Sequence, residues 1–147
     1  MGRKKRRQGK SWRSPDPCEQ DLVDFLRSFG CRISTSGLLD NKYKIDALVE
    51  SLPGREAGQP PIGMQISHQH KDRDKTDTFF KMAALATDGP LFYAKLDLTW
   101  GQHATREMAL SALAILQQLW DEWPKVKDRR RKAFIRPDGS WNWLEVG

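Results

Sequence analysis

The chain has 147 residues, of which 38% are hydrophobic and 30% are charged, and its formal net charge is +6. This length allows one domain with a buried core and is too short for two. No uncharged apolar stretch approaches the roughly 20 residues of a membrane span, and no hydrophobic signal segment follows the basic N-terminus, which argues against membrane-integral and secreted proteins. The two cysteines, Cys18 and Cys31, form no disulfide framework and lack zinc-ligand spacing, so we expect a cytoplasmic setting.

Basic residues are concentrated at the two ends of the chain. Residues 1–13 contain seven Lys or Arg and no acid, and residues 125–147 contain seven against three acids, which leaves a net charge of −5 over residues 14–124. Because Lys and Arg neutralise phosphates and release counterions, this distribution favours a nucleic acid, DNA or RNA, as the partner. The side chains predicted to bind it are Arg3, Lys4, Lys5, Arg6, Arg7, Lys10, Arg129, Arg130, Arg131 and Lys132.

The charge pattern also has simpler explanations. The N-terminal run could be a solubilising tail or a localisation signal, and anionic lipid is a third partner, although few apolar residues accompany the bases. We divide the chain into a basic disordered tail (1–14), a single α/β domain (15–124) and a basic, tryptophan-containing extension (125–147). A protein of this kind is expected in the cytoplasm, at the nucleoid or another nucleic-acid assembly, or in the nucleus of a eukaryote.

The first predicted element is a helix with a capping box. Asp16 is its predicted N-cap, Pro17 its first helical residue and Glu19 the third, and Gly30 stands where a C-terminal glycine is expected. A short alternation of apolar and polar residues over 31–35 then predicts a weak strand.

Two further strands follow, separated by turn signals. Ser36-Gly37 and Asp40-Asn41 predict turns, residues 43–49 alternate as a strand, residues 52–61 are a Pro- and Gly-rich loop, and residues 62–68 alternate again.

The second half of the domain alternates helix and strand. Patterns of apolar residues predict a helix over 76–87, a strand over 91–98 and a long helix over 105–123, with a turn at 137–139 in the basic extension. The resulting αβββαβ order predicts an α/β fold with a central mixed sheet flanked by helices.

One group of polar residues could carry chemistry. Asp46 is expected mid-strand, where a carboxylate is costly unless it is paired or binds a metal. Gln65 and Ser67 share one face of the next strand, and Glu19 on the first helix could complete the set. Such oxygen ligands suit Mg²⁺, which polarises a phosphoryl oxygen and activates water.

These residues and the αβββαβ order resemble the PD-(D/E)XK nuclease superfamily, which has the restriction-endonuclease-like fold. The resemblance covers about residues 17–120. Within the superfamily, the small archaeal Holliday junction resolvases are similar to this chain in size and in the order of helices and strands. It implies that Asp46 is the first motif acid, that Gln65 occupies the second acidic position, and that Glu19 is the helix-one ligand. Ser67 stands where the family has a catalytic lysine. Candidates to replace that lysine are Lys44, Lys71, Lys81 and Lys95.

Lys95 and Lys81 lie on elements from which either could point inward, and Lys95 is grouped with Asp46 and Gln65 as the candidate catalytic set. Each residue also has a structural interpretation. Glu19 could serve only the capping box, Asp46 could be a buried acid paired with a lysine, and Gln65 could lie on an exposed strand face.

Three functions remain open at this point. The favoured one is a nucleic-acid-binding protein on a nuclease-like scaffold, with Mg²⁺-dependent phosphodiesterase activity as its enzymatic form. The alternatives are a catalytically inactive nucleic-acid-binding protein and a protein-interaction or assembly module that uses the tryptophans near the basic runs, Trp12, Trp141 and Trp143. His68 and His70 form an HxH pair that could bind a metal. The sequence does not distinguish a monomer from a homodimer.

Overall fold

A mixed, open, six-stranded sheet forms the centre of the protein, with helices on both faces. The computed structural model describes residues 17–54, 59–68, 75–99 and 101–146. Within them the elements are α1 (Pro17–Ser28), β1 (Arg32–Ser34), α2 (Gly37–Tyr43), β2 (Ala47–Ser51), β3 (Ile62–His68), α3 (Lys75–Ala83), β4 (Leu91–Leu96), α4 (Arg106–Glu122), β5 (Arg130–Ile135) and β6 (Trp141–Leu144). The predicted α/β class with a central mixed sheet is therefore confirmed.

The strands lie in the sheet in the order of the sequence. β1, β2 and β3 form an antiparallel meander, β3, β4 and β5 are parallel, and β6 returns antiparallel to β5. The helices α3 and α4 provide the two crossovers that parallel strands require. As a result, the carboxyl ends of β3, β4 and β5 and the amino end of β2 meet at one edge, which we call the carboxyl edge.

The two faces of the sheet have separate cores. One face packs against α1 and α4 through the larger core, and we call it the α1/α4 face; it takes Met64 and Ile66 from β3 and Ala133 and Ile135 from β5. The other, the α2/α3 face, packs Leu91 and Tyr93 of β4 against α3. Because side chains alternate along a strand, Gln65, Ser67, Lys95 and Phe134 point to the α2/α3 face.

The helix boundaries follow local chemistry. In α4, the Thr105 side chain accepts a hydrogen bond from the backbone N–H of Met108, and the helix gives way at Trp123 to a short 3₁₀ turn that contains Pro124. Gly30, after α1, has a φ of +107°, which favours glycine. The predicted N-cap of α1, Asp16, lies outside the described residues. The three predicted helices, α1, α3 and α4, are found where they are expected, but α3 is shorter and ends at Ala83.

The largest error in the sequence prediction is at residues 36–46. The predicted turns form α2 instead, because the Ser36 hydroxyl caps the helix by accepting from the backbone N–H of Leu39. Lys44 then ends α2 in the left-handed conformation, with a φ of +59°. This breaks the expected alternation, and β2 begins only at Ala47. Asp46 therefore lies immediately before β2 rather than in the middle of a strand.

The separation of residues 125–147 as an extension is not what the structure shows. β5 pairs with β4 over six residues, and β6 pairs with β5. Ala133 and Ile135 are fully buried in the larger core. This segment is thus part of the sheet, and its bases are distributed between the two faces of β5. The predicted turn at 137–139 connects β5 and β6, with Gly139 at a φ of +91°.

Among the described residues, no helix is both long and apolar enough to cross a bilayer.

Candidate functional site

Asp46 is held against β3 in the plane of the sheet, at the carboxyl edge. Its backbone N–H donates to the carbonyl oxygen of Met64 at 2.9 Å, and its carboxylate Oδ2 accepts from the backbone N–H of Ile66 at 2.8 Å. The antiparallel pairing of Ala47 with Met64 starts beside it. Asp46 therefore lies next to the β3 segment that carries Gln65, as expected from the sequence.

The surroundings of Asp46 disfavour its negative charge. Burial is the main cause that raises its pKa well above the ordinary aspartate value, and the charge of Glu19 is the next. The hydrogen bond from Ile66 opposes this shift, whereas the charge of Asp40 and a hydrogen bond with it raise the pKa further. Carboxyl groups on α1 and α2 thus add to the effect of burial on the pKa of Asp46. Strongly shifted carboxyl groups of this kind are typical of functional sites and of metal-binding acids before metal binds.

Asp40 is the acidic residue that sequence reasoning missed. The sequence predicts a turn at this position, whereas Asp40 lies in the first turn of α2, and its charge and a hydrogen bond with it raise the pKa of Asp46. The signal that could have found it is the serine at position 36, since Ser followed by a helix-compatible segment is a common N-cap.

Gln65 has an unsatisfied polar atom. Its side chain is partly buried, and its Oε1 atom is fully enclosed and has no hydrogen-bond partner. An orphaned acceptor of this kind costs about 1–3 kcal/mol unless a water, ion or ligand binds it. Thr76, in the first turn of α3, has the same property: its side-chain hydroxyl is buried and has no partner. Both residues lie between β3 and the helix that covers the α2/α3 face.

The four candidate lysines occupy different places. Lys95 on β4 is paired in register with Ser67 on β3, so both side chains point to the α2/α3 face one strand apart. Lys81 is exposed on α3, and Lys44 ends α2. Lys71 lies outside the described residues. The geometry therefore brings Lys95 next to the position where the motif lysine is missing.

The histidines belong to other environments. His68 is the last residue of β3 and is buried, and its predicted metal-binding partner His70 lies outside the described residues. His103 lies in the loop before α4, where its Nδ1 atom is 2.6 Å from Oδ2 of Asp21. In the described part of the chain, no three His, Cys, Asp or Glu side chains are placed closely enough to hold a metal ion.

Arg129, which had been predicted to bind nucleic acid, has a structural role. Its guanidinium group donates to the backbone carbonyl oxygens of Thr87 at 2.5 Å, Gly89 at 2.8 Å and Ala84 at 3.2 Å. These carbonyls lie in the turn after α3, so Arg129 ties that turn to the start of β5. Its donors are committed to this turn.

The next three basic side chains, Arg130, Arg131 and Lys132, differ in the groups of the protein that they contact. Arg130 forms a bidentate pair with Asp128, with both distances 2.9 Å, which lowers the pKa of that carboxyl group to about 2. Arg131 donates to the carbonyl oxygens of Asp128 and Arg130. Lys132 has its ammonium group 5.4 Å from the centre of the Tyr93 ring. The predicted bases of the N-terminal run, which include Arg3 and Lys10, lie outside the described residues.

The carboxyl edge thus carries Asp46 with Glu19 and Asp40 on one side, and Gln65, Ser67 and Lys95 on two adjacent strands.

Comparisons of the chain with protein-family models, with curated proteins and with solved structures return no match.

Proposed function

We propose that the protein is a nucleic-acid-binding phosphodiesterase with a restriction-endonuclease-like fold and a modified PD-(D/E)XK site. The observation that carries this proposal is the position of Asp46, whose carboxylate is held on the backbone of β3 at the carboxyl edge beside Gln65. A helix followed by an antiparallel meander, a crossover helix and a parallel fourth strand is the order expected for this fold.

The residues present fit a magnesium ion in part. Asp46 and Glu19 would supply its carboxylate ligands, whereas the orphaned Oε1 atom of Gln65 belongs to a side chain that points to the α2/α3 face, away from the face that α1 covers. Mg²⁺ is commonly bound by one or two carboxylates, with water and substrate phosphate completing its shell, so a dense cluster of acids is not required. When bound, the ion would stabilise charge on the phosphoryl group and lower the pKa of a water molecule.

Lys95 would supply the missing positive charge. In the family motif the lysine and the second acid are on the same strand, whereas here Ser67 faces Lys95 across the parallel pair of β3 and β4. A lysine on the adjacent strand can reach the same side of a bound phosphate. It would orient the attacking water and stabilise the charge that develops on the phosphoryl oxygens.

The test is cleavage of labelled duplex, junction and single-stranded DNA and RNA by the full chain with Mg²⁺ or Mn²⁺. We expect cleavage that is lost in Asp46→Asn, with binding retained, and cleavage that is strongly reduced in Lys95→Gln. Asp24→Asn is the matched control, because Asp24 is an exposed acid on the same helix as Glu19. The absence of cleavage on all of these substrates with either metal would refute the enzymatic proposal.

A second candidate is a nucleic-acid-binding protein without catalysis. It is favoured by Gln65 and Ser67, which stand where the family has an acid and a lysine. This form predicts salt-dependent binding with no turnover, and binding by Asp46→Asn that is equal to or tighter than that of the wild type, since a negative charge near the phosphates is removed.

A further inference from the structure

β6 is an outer strand of the sheet, and its free edge lacks the usual protection against pairing with another chain. Within the described residues no strand lies beyond it. Natural edge strands are protected by short length, bulges, Lys or Pro. The other outer strand, β1, is three residues long and has a register shift between Arg32 and Ile33, whereas β6 contains no Pro and no charged residue. β6 is thus the edge that is open to a further strand.

The backbone groups of Trp141 and Trp143 point away from β5. The backbone N–H of Arg136 donates to the carbonyl oxygen of Ser140 at 2.8 Å, which makes these two residues a hydrogen-bonded pair just before β6. Hydrogen-bonded and non-hydrogen-bonded pairs alternate along an antiparallel ladder, so the pairs that Trp141 and Trp143 form with β5 are non-hydrogen-bonded. Trp141, Trp143 and, two residues on, Glu145 therefore direct their N–H and carbonyl groups to the free edge.

Trp143 places an apolar side chain beside this edge. It is paired with Ala133 of the larger core, so its side chain is on the α1/α4 face, where it is 38% exposed. The rings of Trp141 and Trp143 meet edge to face with their centroids 4.9 Å apart, and Trp141 packs against the larger core. Trp143 is thus held by its neighbour while part of it stays exposed, and tryptophan is enriched among the residues that dominate protein interfaces.

A second copy of the chain fits this edge without bringing like charges together. In an antiparallel pair of β6 strands with the two-fold axis at Trp143, each Trp143 lies opposite the same residue of the second copy. Trp141 of each copy then lies opposite Glu145 of the other, so the outward backbone groups of all three residues find partners. Glu145 is the only charged residue between 141 and 146, and it faces an indole. Elsewhere the net charge of +6 disfavours contact between copies.

We propose that the protein forms a two-fold symmetric homodimer through antiparallel pairing of its β6 strands, which joins two six-stranded sheets into one. Because each copy contributes one short strand, we expect weak association, with a dissociation constant on the order of 10 µM. β6 is four strands from β2, a separation of about 19 Å, so the interface does not include Asp46. The inference is therefore independent of the proposed function.

Sedimentation equilibrium of the full chain over about 1–200 µM measures this association. We expect the mean mass to rise with concentration from that of one chain to that of two. Trp143→Glu places two like charges at the axis and should stay monomeric, whereas Trp143→Phe should still dimerise. Leu110→Glu is the matched control and should dimerise as the wild type does, because Leu110 is similarly exposed, at 41%, but lies on α4 rather than on the sheet.

Thiol cross-linking tests the position of the axis. Trp143→Cys places two thiols opposite each other with Cα atoms about 5.5 Å apart, within disulfide range, whereas Asn142→Cys places each thiol opposite Leu144 of the second copy. Both native cysteines are buried. Under mild oxidation we expect Trp143→Cys to form the covalent dimer at least about tenfold faster than Asn142→Cys.

A wild type that remains monomeric at the highest concentration overturns the proposal, as does a folded Trp143→Glu variant that still dimerises. Equal cross-linking of the two cysteine variants overturns the pairing about Trp143. Circular dichroism shows whether each variant is folded. If Trp143→Glu does not fold, Glu145→Pro takes its place: it removes one outward N–H beyond the end of β6 and should weaken dimerisation by about tenfold, since the loss occurs twice in the dimer. Unchanged dimerisation of that variant overturns the proposal.

Discussion

The carboxylate of Asp46 accepts a hydrogen bond from the backbone N–H of Ile66 across the first residues of the β2–β3 pair, at 2.8 Å. Asp46 thereby occupies the place in the sheet where β2 would otherwise continue, and its charge lies beside the end of β3. The charges of Glu19 and Asp40 raise the pKa of Asp46 further. An acid placed in this way weakens the fold unless a proton or a cation neutralises it.

Asp46→Asn should stabilise the metal-free protein at neutral pH. The pKa of Asp46 is higher in the folded protein than in the unfolded chain, where it is near 4. The protonated carboxyl group therefore favours folding fully at a pH below the unfolded-state pKa. This stabilisation is lost as the pH rises through the folded-state pKa. We expect the variant to be more stable than the wild type at pH 7 and to match it near pH 3. Urea denaturation in EDTA at several pH values measures this. A variant that is less stable than the wild type at pH 7 would contradict it.

Divalent cations should stabilise the wild type at the same site. Because the carboxylates must lose their protons to bind the ion, the rise in Tm with Mg²⁺ or Mn²⁺ should be larger at pH 8 than at pH 5. At ten times the dissociation constant, we expect an increase of roughly 3–6 °C. Thermal unfolding of wild type, Asp46→Asn and Asp24→Asn measures this, and only Asp46→Asn should lose the effect. An equal shift in all three proteins would indicate binding elsewhere.

Arg129→Met should reduce stability rather than nucleic-acid binding. The guanidinium group of Arg129 makes three hydrogen bonds to backbone carbonyls in the turn after α3, and their removal leaves those acceptors in a partly buried environment. We expect a loss of about 2–3 kcal/mol in the free energy of unfolding. Lys132→Gln, three residues further along the chain in β5, should change the free energy of unfolding by less than about 0.5 kcal/mol. Chemical denaturation of both variants tests the difference.

The cysteine thiols should be unreactive in the native protein. Cys18 and Cys31 are both buried, and burial raises the pKa of Cys31 to about 11. Since the thiolate is the reactive form, an aromatic disulfide reagent at pH 8 should modify Cys31 far more slowly in the native state than in urea. Rapid modification of both thiols under native conditions would show that the larger core opens readily around α1 and β1.

Removal of residues 125–147 should unfold the domain. These residues include β5 and β6, and without them the buried strand β4 becomes an exposed edge and the larger core loses Ala133 and Ile135. We expect the truncated chain to lack near-ultraviolet circular dichroism and to aggregate. A truncated chain that retains native spectra would show that β5 and β6 are dispensable for folding, and that the domain ends at residue 124.

Long apolar periodicities placed α1, α3, β3, β4 and α4 nearly correctly, because each buries a face whose repeat is visible in the sequence. The short helix α2 was missed, since a serine followed by glycine is common both at helix N-caps and in turns, and here the Ser36 side chain caps a helix. β5 was not predicted, because three of its six residues are basic and only Ala133 and Ile135 are buried.

For the candidate site, the sequence by itself determined which residue types were available: an acid near residue 46, an amide and a serine at alternate positions of one strand, and bases toward the C-terminus. Only the tertiary structure decided that Lys95 faces Ser67, that Asp40 approaches Asp46, and that Arg129 is bound to backbone carbonyls. The physical reason is that such relationships join residues distant in the chain. Strand register and the docking of α2 set them, and no local pattern of hydrophobicity encodes either.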